Sequence, residues 1–305
     1  MVLAPLQTGH LPELENFLFS TSGSINRRDV APLNFSSAPR LQEFFFDGGI
    51  GVPIEFGGGM HHIKFLEIGF VMDPGMPGLS LDDLLSCFTH CQMLEELNIT
   101  IHKLCTGHPR ELPTIIELSQ LHHFTLELAP GVDAGYLFDI LFLPALTHLS
   151  LILEDVDHSY TDWPYLRSML ARSRPPLRLL DLYFLPINEQ TLCECLSYIP
   201  SLNSISLRGT TCTDTILGFL TLEENTSRSI CPCLESIKFG RAPRFTSSAM
   251  IAMILSRRSS TNHTGIGIGK ALMSVSCASS TMGNIKSNPD IAQCMEDGLH
   301  LYTGT

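Results

Sequence analysis

Cys87, His90 and Cys91 lie close enough in sequence for one helical turn to offer two thiolates and an imidazole to a tetrahedral metal. A structural zinc site needs a fourth ligand and usually draws its ligands from paired short spacings. No clear second pair accompanies this group, nor the Cys231/Cys233 pair. We therefore expect no metal, and read these cysteines as small apolar or surface residues. His61-His62 and His122-His123 fall in or just before strand motifs, where one ring of each pair faces outward as an ordinary exposed histidine. The run from Gly265 to Ala271 looks like a phosphate loop until its details are checked. Thr264 stands where the first glycine of such a loop belongs, and Ala271 cannot supply the magnesium-binding hydroxyl that should follow Lys270. The dinucleotide fingerprint fails as well, because Lys270 takes the place of its third glycine. No Ser/His/Asp or Cys/His set can be assembled from spacing. We expect no catalytic residue, no cofactor and no enzyme.

The elements that must carry these residues follow from a pattern that recurs nine times: apolar, two variable residues, apolar, one variable residue, apolar. Its first residues are Leu14, Leu41, Ile63, Leu94, Leu121, Leu146, Leu177, Leu202 and Leu234, at steps of 22 to 32 residues, and Leu272 begins a weaker tenth copy. A period of this size carrying L-x-x-L-x-L is the mark of a leucine-rich-repeat solenoid. Six copies have proline two residues before the first apolar position: Pro12, Pro39, Pro144, Pro175, Pro200 and Pro232. Proline cannot continue a helix and holds the residue before it in extended conformation, so it ends one element and starts the next at a fixed place. The last three residues of each motif alternate with the strand period of two.

Between motifs, the sequence predicts helices over 80–88, 133–142, 165–172, 188–196 and 247–255, the first and fourth opening with a Ser or Asn cap followed by acidic residues. Strands stack about 4.8 Å apart and helices with side chains are about 10 Å wide. The helical side must fan out. The predicted fold is thus an α/β leucine-rich-repeat solenoid of nine to ten repeats, with a curved parallel sheet on the concave side and helices on the convex side. It forms a single domain over 1–305, with repeats starting near Leu14 and a C-terminal cap at about 286–305. A closed β/α barrel has the same alternation, but its strands are covered on both faces. Here polar residues such as Glu96, Asn98, Thr125, Ser204 and Ser206 interleave with the apolar ones. Sealing them without partners costs about 1–3 kcal/mol each, which favours the open form over a barrel enzyme.

Nineteen basic residues against 31 acidic ones give a net charge of −12, which argues against nucleic acid or an anionic membrane as partner. No apolar run is long enough to cross a bilayer, and the first residues lack the basic and apolar regions of a secretory signal. The ten cysteines are accordingly read as reduced thiols of a cytoplasmic or nuclear protein. A protein partner would meet the outward strand residues on the concave face. Those singled out are Phe45, Phe65, Glu96, Asn98, His123, Thr125, Glu127, His148, Ser150, Asp181, Tyr183, Arg208 and Lys238, which grade from aromatic and acidic to basic along the chain.

The Pro-x-Leu-x-x-Leu-x-Leu units of irregular length, together with the ending from Asn288 to Leu299, resemble the repeat region of fungal F-box/leucine-rich-repeat proteins over roughly residues 10–302. That resemblance implies a short closing helix, an acidic-Gly-Leu turn and a final strand over 299–302. It also implies a non-catalytic protein–protein interaction module, like the substrate-recognition repeats of cullin-type ubiquitin ligases. In that family an F-box grips a Skp-type adaptor. Nothing before Leu14 reads as an F-box, so an adaptor is expected as partner only if one lies upstream. The Asn that follows the strand in many leucine-rich repeats is also missing. A repeat scaffold without a ubiquitin role is the alternative.

Overall fold

The structure is a computed structural model, and it describes residues 11–21, 33–48, 54–55, 59–69, 81–101, 115–153, 162–222, 230–240, 244–259 and 270–303. They fall into two compact units, one over 1–146 with 153–155, the other over 147–152 with 156–305. The Gly265–Gly269 run, Ser80 and the first ten residues lie outside the described residues.

In the first unit the chain runs through β1 (Asn16–Thr21), β2 (Leu33–Asn34), β3 (Glu43–Gly48), β4 (Ile54–Glu55), β5 (Phe65–Gly69), α1 (Leu81–His90), β6 (Glu96–Ile101), β7 (Ile116–Glu117), β8 (His123–Leu128), α2 (Gly135–Ile140) and β9 (Leu141–Phe142). Strands β1, β3, β5, β6 and β8 pair in that order, all parallel. Each motif residue sits beside its counterpart in the next copy: Phe17, Phe44, Leu66, Leu97 and Phe124 form one inward row, and Phe19, Phe46, Ile68, Ile99 and Leu126 another. Burying each such side chain contributes about 1.5–3 kcal/mol before conformational entropy is set against it.

The second unit contains β10 (His148–Leu153, the last residue grouping with the first unit), α3 (Tyr165–Ser173), β11 (Leu179–Tyr183), α4 (Glu189–Ser197), β12 (Ser204–Arg208), α5 (Asp214–Leu220), β13 (Ser236–Phe239), α6 (Ser247–Ser259), β14 (Ser274–Cys277), α7 (Ser279–Lys286), α8 (Pro289–Glu296) and β15 (His300–Thr303). Its strands are also parallel and follow chain order, from β10 to β15. The inward row Leu149, Leu180, Ile205, Ile237, Val275 and Leu301 is in register throughout. The weak tenth motif is therefore a genuine strand, β14.

Two backbone devices set this register. The first motif residue donates its N–H to the carbonyl three residues back, closing a four-residue turn: Leu14 to Leu11, Leu41 to Ala38, Leu94 to Cys91, Leu121 to Leu118, Leu146 to Leu143, Leu202 to Ile199 and Leu234 to Cys231, at 3.1–3.4 Å. Where proline is present it occupies the second turn position, which its fixed φ suits. The residue that opens the turn is buried in six of these seven copies. The second device is a shared acceptor. The carbonyl just before most of the long strands takes two successive N–H groups of the next copy, as Glu15 does from Gln42 (2.8 Å) and Glu43 (3.2 Å), and Arg178 from Asn203 (2.8 Å) and Ser204 (2.9 Å).

Four local expectations need correction. The helix predicted over 133–142 is only α2. Leu141 turns to extended backbone (φ −78°, ψ 137°) and β9 pairs with β7 instead. Pro144 disfavours helix in the residue before it, and Leu141 and Leu143 alternate into the core. The two-residue pairs β2–β4 and β7–β9 were not expected at all. Helices α5 and α7 were also missed; the buried Ile216, Leu217 and Leu220 of one and Met282 and Ile285 of the other form patterns too short to stand out. The closing strand begins one residue later than expected.

Helix α4 starts as predicted, with the Asn188 side chain accepting from the Thr191 N–H at 2.8 Å. The acidic residues near the helix starts also reach across to the next copy. Asp162 accepts from the Asn188 N–H (3.1 Å) and Thr191 Oγ1 (2.9 Å), Glu189 from the Thr213 N–H (2.5 Å) and Oγ1 (2.7 Å), and Asp214 from the Thr246 N–H (2.6 Å) and Oγ1 (3.0 Å). One carboxylate thus satisfies an orphan N–H and a hydroxyl at the neighbouring helix start together.

Candidate functional site

Because strand side chains alternate, the row between two buried rows must point the other way. In the first unit the outward positions carry Leu18, Phe45, Glu67, Asn98 and Thr125 in one row, with Asn16, Glu43, Phe65, Glu96 and His123 beside it. Leu18 is 77% exposed and Phe65 37%, unusual for side chains of this size. His123 Nδ1 stands 3.2 Å from Glu96 Oε1, and the Thr100 hydroxyl donates to Glu127 at 3.3 Å. Burial, then the nearby Asp47 carboxylate, raises the pKa of Glu67 above the usual carboxylate value. All seven first-unit residues named from sequence lie on this outward side.

In the second unit the outward rows are dominated by hydroxyls: Ser150, Ser204, Ser206, Ser236, Ser274 and Ser276. Asp181 lies between Ser150 and Ser206, and Lys238 beyond Ser206. Arg208 donates from Nη2 to Asp181 Oδ2 at 2.9 Å, and its guanidinium lies 4.8 Å from the centre of the Tyr183 ring. Asp181 Oδ1 and the Ser206 and Thr210 hydroxyls have no hydrogen-bond partner among the described residues. The Thr147 hydroxyl lies 2.9 Å from Nδ1 of His148. The six second-unit residues named from sequence also lie on the outward side.

Phe184 is absent from the sequence-derived set. It has φ +55°, a left-handed conformation that a bulky side chain rarely adopts, and is 40% exposed against Tyr183. Its ring lies where a side chain at Gly209 would have to go, 2.2 Å from that Cβ position, and Gly209 itself has φ +78°. Gly209 was the available signal. Strain of this kind concentrates at functional positions, and Phe184, Tyr183, Arg208 and Asp181 form the most sharply defined side-chain group on that face.

Cys87, Cys91, His90 and Cys231 are engaged within the fold. Cys87 and Cys91 are buried, and burial pushes the Cys91 thiol up to about 12. His90 Nδ1 is 2.7 Å from the Ser86 carbonyl of its own helix. Cys231 is buried with Sγ 3.7 Å from the carbonyls of Leu196 and Ile199. Cys91 and Cys231 open the four-residue turns described above, which accounts for their burial. Among the described residues no group of three or more His, Cys, Asp or Glu could hold a metal ion, and no helix is long and apolar enough to cross a membrane. No family model, curated protein or solved structure matches this chain.

Proposed function

We propose that this chain is a non-catalytic protein–protein interaction module, built as a leucine-rich-repeat solenoid of nine to ten units that displays its outward strand residues to a partner. The observation that carries the reading is the split between rows. The inward rows are buried almost without exception, while the outward rows leave Leu18, Phe65 and Tyr302 in solvent. Exposed large apolar side chains on a regular, rigid sheet are the anchors that protein interfaces use. The proline-marked units and the closing helix and strand support kinship with the substrate-recognition repeats of F-box proteins in cullin-type ubiquitin ligases. On that reading the bound partner is a substrate for ubiquitin transfer.

The test is cross-linking mass spectrometry on proteins captured by the full chain, repeated with two sets of substitutions. Asp at Phe45, Phe65 and Tyr183 should abolish capture, whereas Ala at Gln190, Asp290 and Gln293 on the helices should leave it intact. The opposite pattern, or cross-links confined to helices, defeats the reading. The ubiquitin connection is tested separately, by whether captured proteins become longer-lived when this chain is removed from cells.

A further inference from the structure

The outward face of the first unit is chemically one-sided. Of the side chains its five long parallel strands turn outward, five are carboxylates (Glu43, Asp47, Glu67, Glu96 and Glu127), and none is Lys or Arg. Two cations that precede these strands are already engaged, Arg40 by Glu13 and Lys64 by Glu95 at 2.9 Å. Neighbouring strands are about 4.8 Å apart, so carboxylates two strands apart, such as Glu43 and Glu96, are separated by about 10 Å, comparable to the Debye length in physiological salt. Their repulsion adds, and among the described residues the imidazole of His123 beside Glu96 is the one titratable nitrogen these strands turn toward it. Set among these charges are Leu18 and Phe45, side by side on β1 and β3, and Phe65, which lies between Glu43 and Glu96 in one row.

We infer that this face docks an extended cationic protein segment, its Lys or Arg side chains meeting Glu43, Glu67 and Glu96 while an apolar residue covers Phe45 and Phe65. The inference rests on the interaction-module reading and adds the partner's chemistry and the half of the molecule it contacts. Charge complementarity selects the partner. A neutral or acidic segment would leave the repulsion in place, and a purely hydrophilic cation would leave the apolar side chains wet. The raised pKa of Glu67 agrees, since a bound cation would counter the Asp47 repulsion that contributes to it. The second unit's hydroxyl-rich face, with Arg208 and Lys238, has no such preference.

The experiment is fluorescence anisotropy on the full chain with three synthetic twelve-residue peptides: Lys-Leu-Lys-Phe repeated three times, the same with Glu for Lys, and the same with Ser at each apolar position. The first should bind. The second should not, and the third should bind at least about tenfold more weakly. Replacing Glu43, Glu67 and Glu96 by Gln should weaken the first peptide by about tenfold or more. Replacing the remote Glu117 and Glu296 by Gln and Asp290 by Asn changes the net charge equally, and should shift it by less than about twofold. Equal losses from the two triple variants would mean unspecific attraction to an acidic protein and overturn the inference, as would no binding or no dependence on apolar residues. If the peptides ignore the first unit while Asp at Tyr183 still abolishes capture of a native partner, the interaction-module reading stands and this inference alone falls.

Discussion

The two units carry the same strand motif but close the return path differently. In the first, phenylalanines stack through the interior: Phe17, Phe35 and Phe44 meet with centroids 5.1–5.2 Å apart, and Phe124 lies 6.3 Å from both Phe88 and Phe138. Two pairs of very short strands, β2–β4 and β7–β9, do much of the closing. In the second, leucine, isoleucine and cysteine fill the interior, and every described return contains a helix. Sequence spacing follows this division loosely. Copies closed by a short strand are 22 to 27 residues apart, and most of those closed by a helix alone are 31 or 32. A helix is wider than a strand and uses more residues per unit length. The strand motif therefore specifies the sheet without specifying what lies behind it.

The largest test of that contrast is alkaline pH. Burial raises five thiols of the second unit, Cys193 and Cys277 to about 11 and Cys195, Cys212 and Cys231 to about 12, and in the first it raises Cys91 to about 12. Unfolded thiols ionise near 9, so above that pH the unfolded state holds fewer protons than the folded one. Their contribution is complete below about pH 9 and is lost as pH rises toward the folded values. At pH 10 the loss is on the order of 1 kcal/mol per thiol, concentrated in the second unit. The only tryptophan, Trp163, is buried there, so its fluorescence reports that unit in urea titrations. An unchanged midpoint between pH 7.5 and 10 would contradict this.

Cavity formation should follow the same contrast. Phe124→Ala removes a ring that touches two others and should cost about 3–5 kcal/mol, and Leu180→Ala about 2–5 kcal/mol. Urea denaturation followed by circular dichroism should register both losses, and Trp163 fluorescence should report the second. Equal responses from both probes for both variants would show that the chain unfolds as a single cooperative whole.

Arg257 is the next largest effect. Its guanidinium is buried, with burial lowering its pKa to about 10, and it donates to the carbonyls of Leu220 (2.7 Å), Cys231 (3.0 Å) and Ile230 (2.9 Å). Its neighbour Arg258 reaches the carbonyls of Leu272 and Asp297. Arg257→Ala strips this donor from the carbonyls of Leu220 and Ile230, while the Cys231 carbonyl keeps the Leu234 N–H, and should cost about 3 kcal/mol. Arg257→Lys should rescue little, because an ammonium cannot match the planar spread. The second unit should suffer alone, read by Trp163.

The helix-start ladder is smaller. Asp214→Ala should cost about 1 kcal/mol by removing both bonds to Thr246, measured as a lowered urea midpoint. The first unit has no described counterpart of this ladder. Smallest of all is Glu67→Gln. Because Glu67 is harder to ionise in the folded state, its charge opposes folding at neutral pH. The variant should be slightly more stable at pH 7 and gain less as pH falls through the carboxylate range.

Much of this was readable from single residues. The apolar spacing of Leu14-x-x-Phe17-x-Phe19 and its later copies gave strand, register and outward side together, because a strand has period two and parallel pairing repeats the same position. Polar interleaving at Glu96 and Asn98 identified the open face. Asn188 marked a helix start through a cap that acts within four residues. These are local effects, and the chain states them directly.

Other features depended on residues brought together from far along the chain. Leu141-Phe142-Leu143 reads as the end of a helix until Ile116 and Glu117 pair beside it. Arg257 looks like a solvated helix end until the carbonyls of Leu220 and Ile230 surround it. Phe184 adopts left-handed backbone because Gly209, a register neighbour, leaves space for its ring. Five carboxylates spread over 85 residues of sequence become one acidic face only when parallel strands set them side by side on one sheet. Local periodicity determines which side of a strand a residue takes; the company it keeps there depends on the stacking of distant segments.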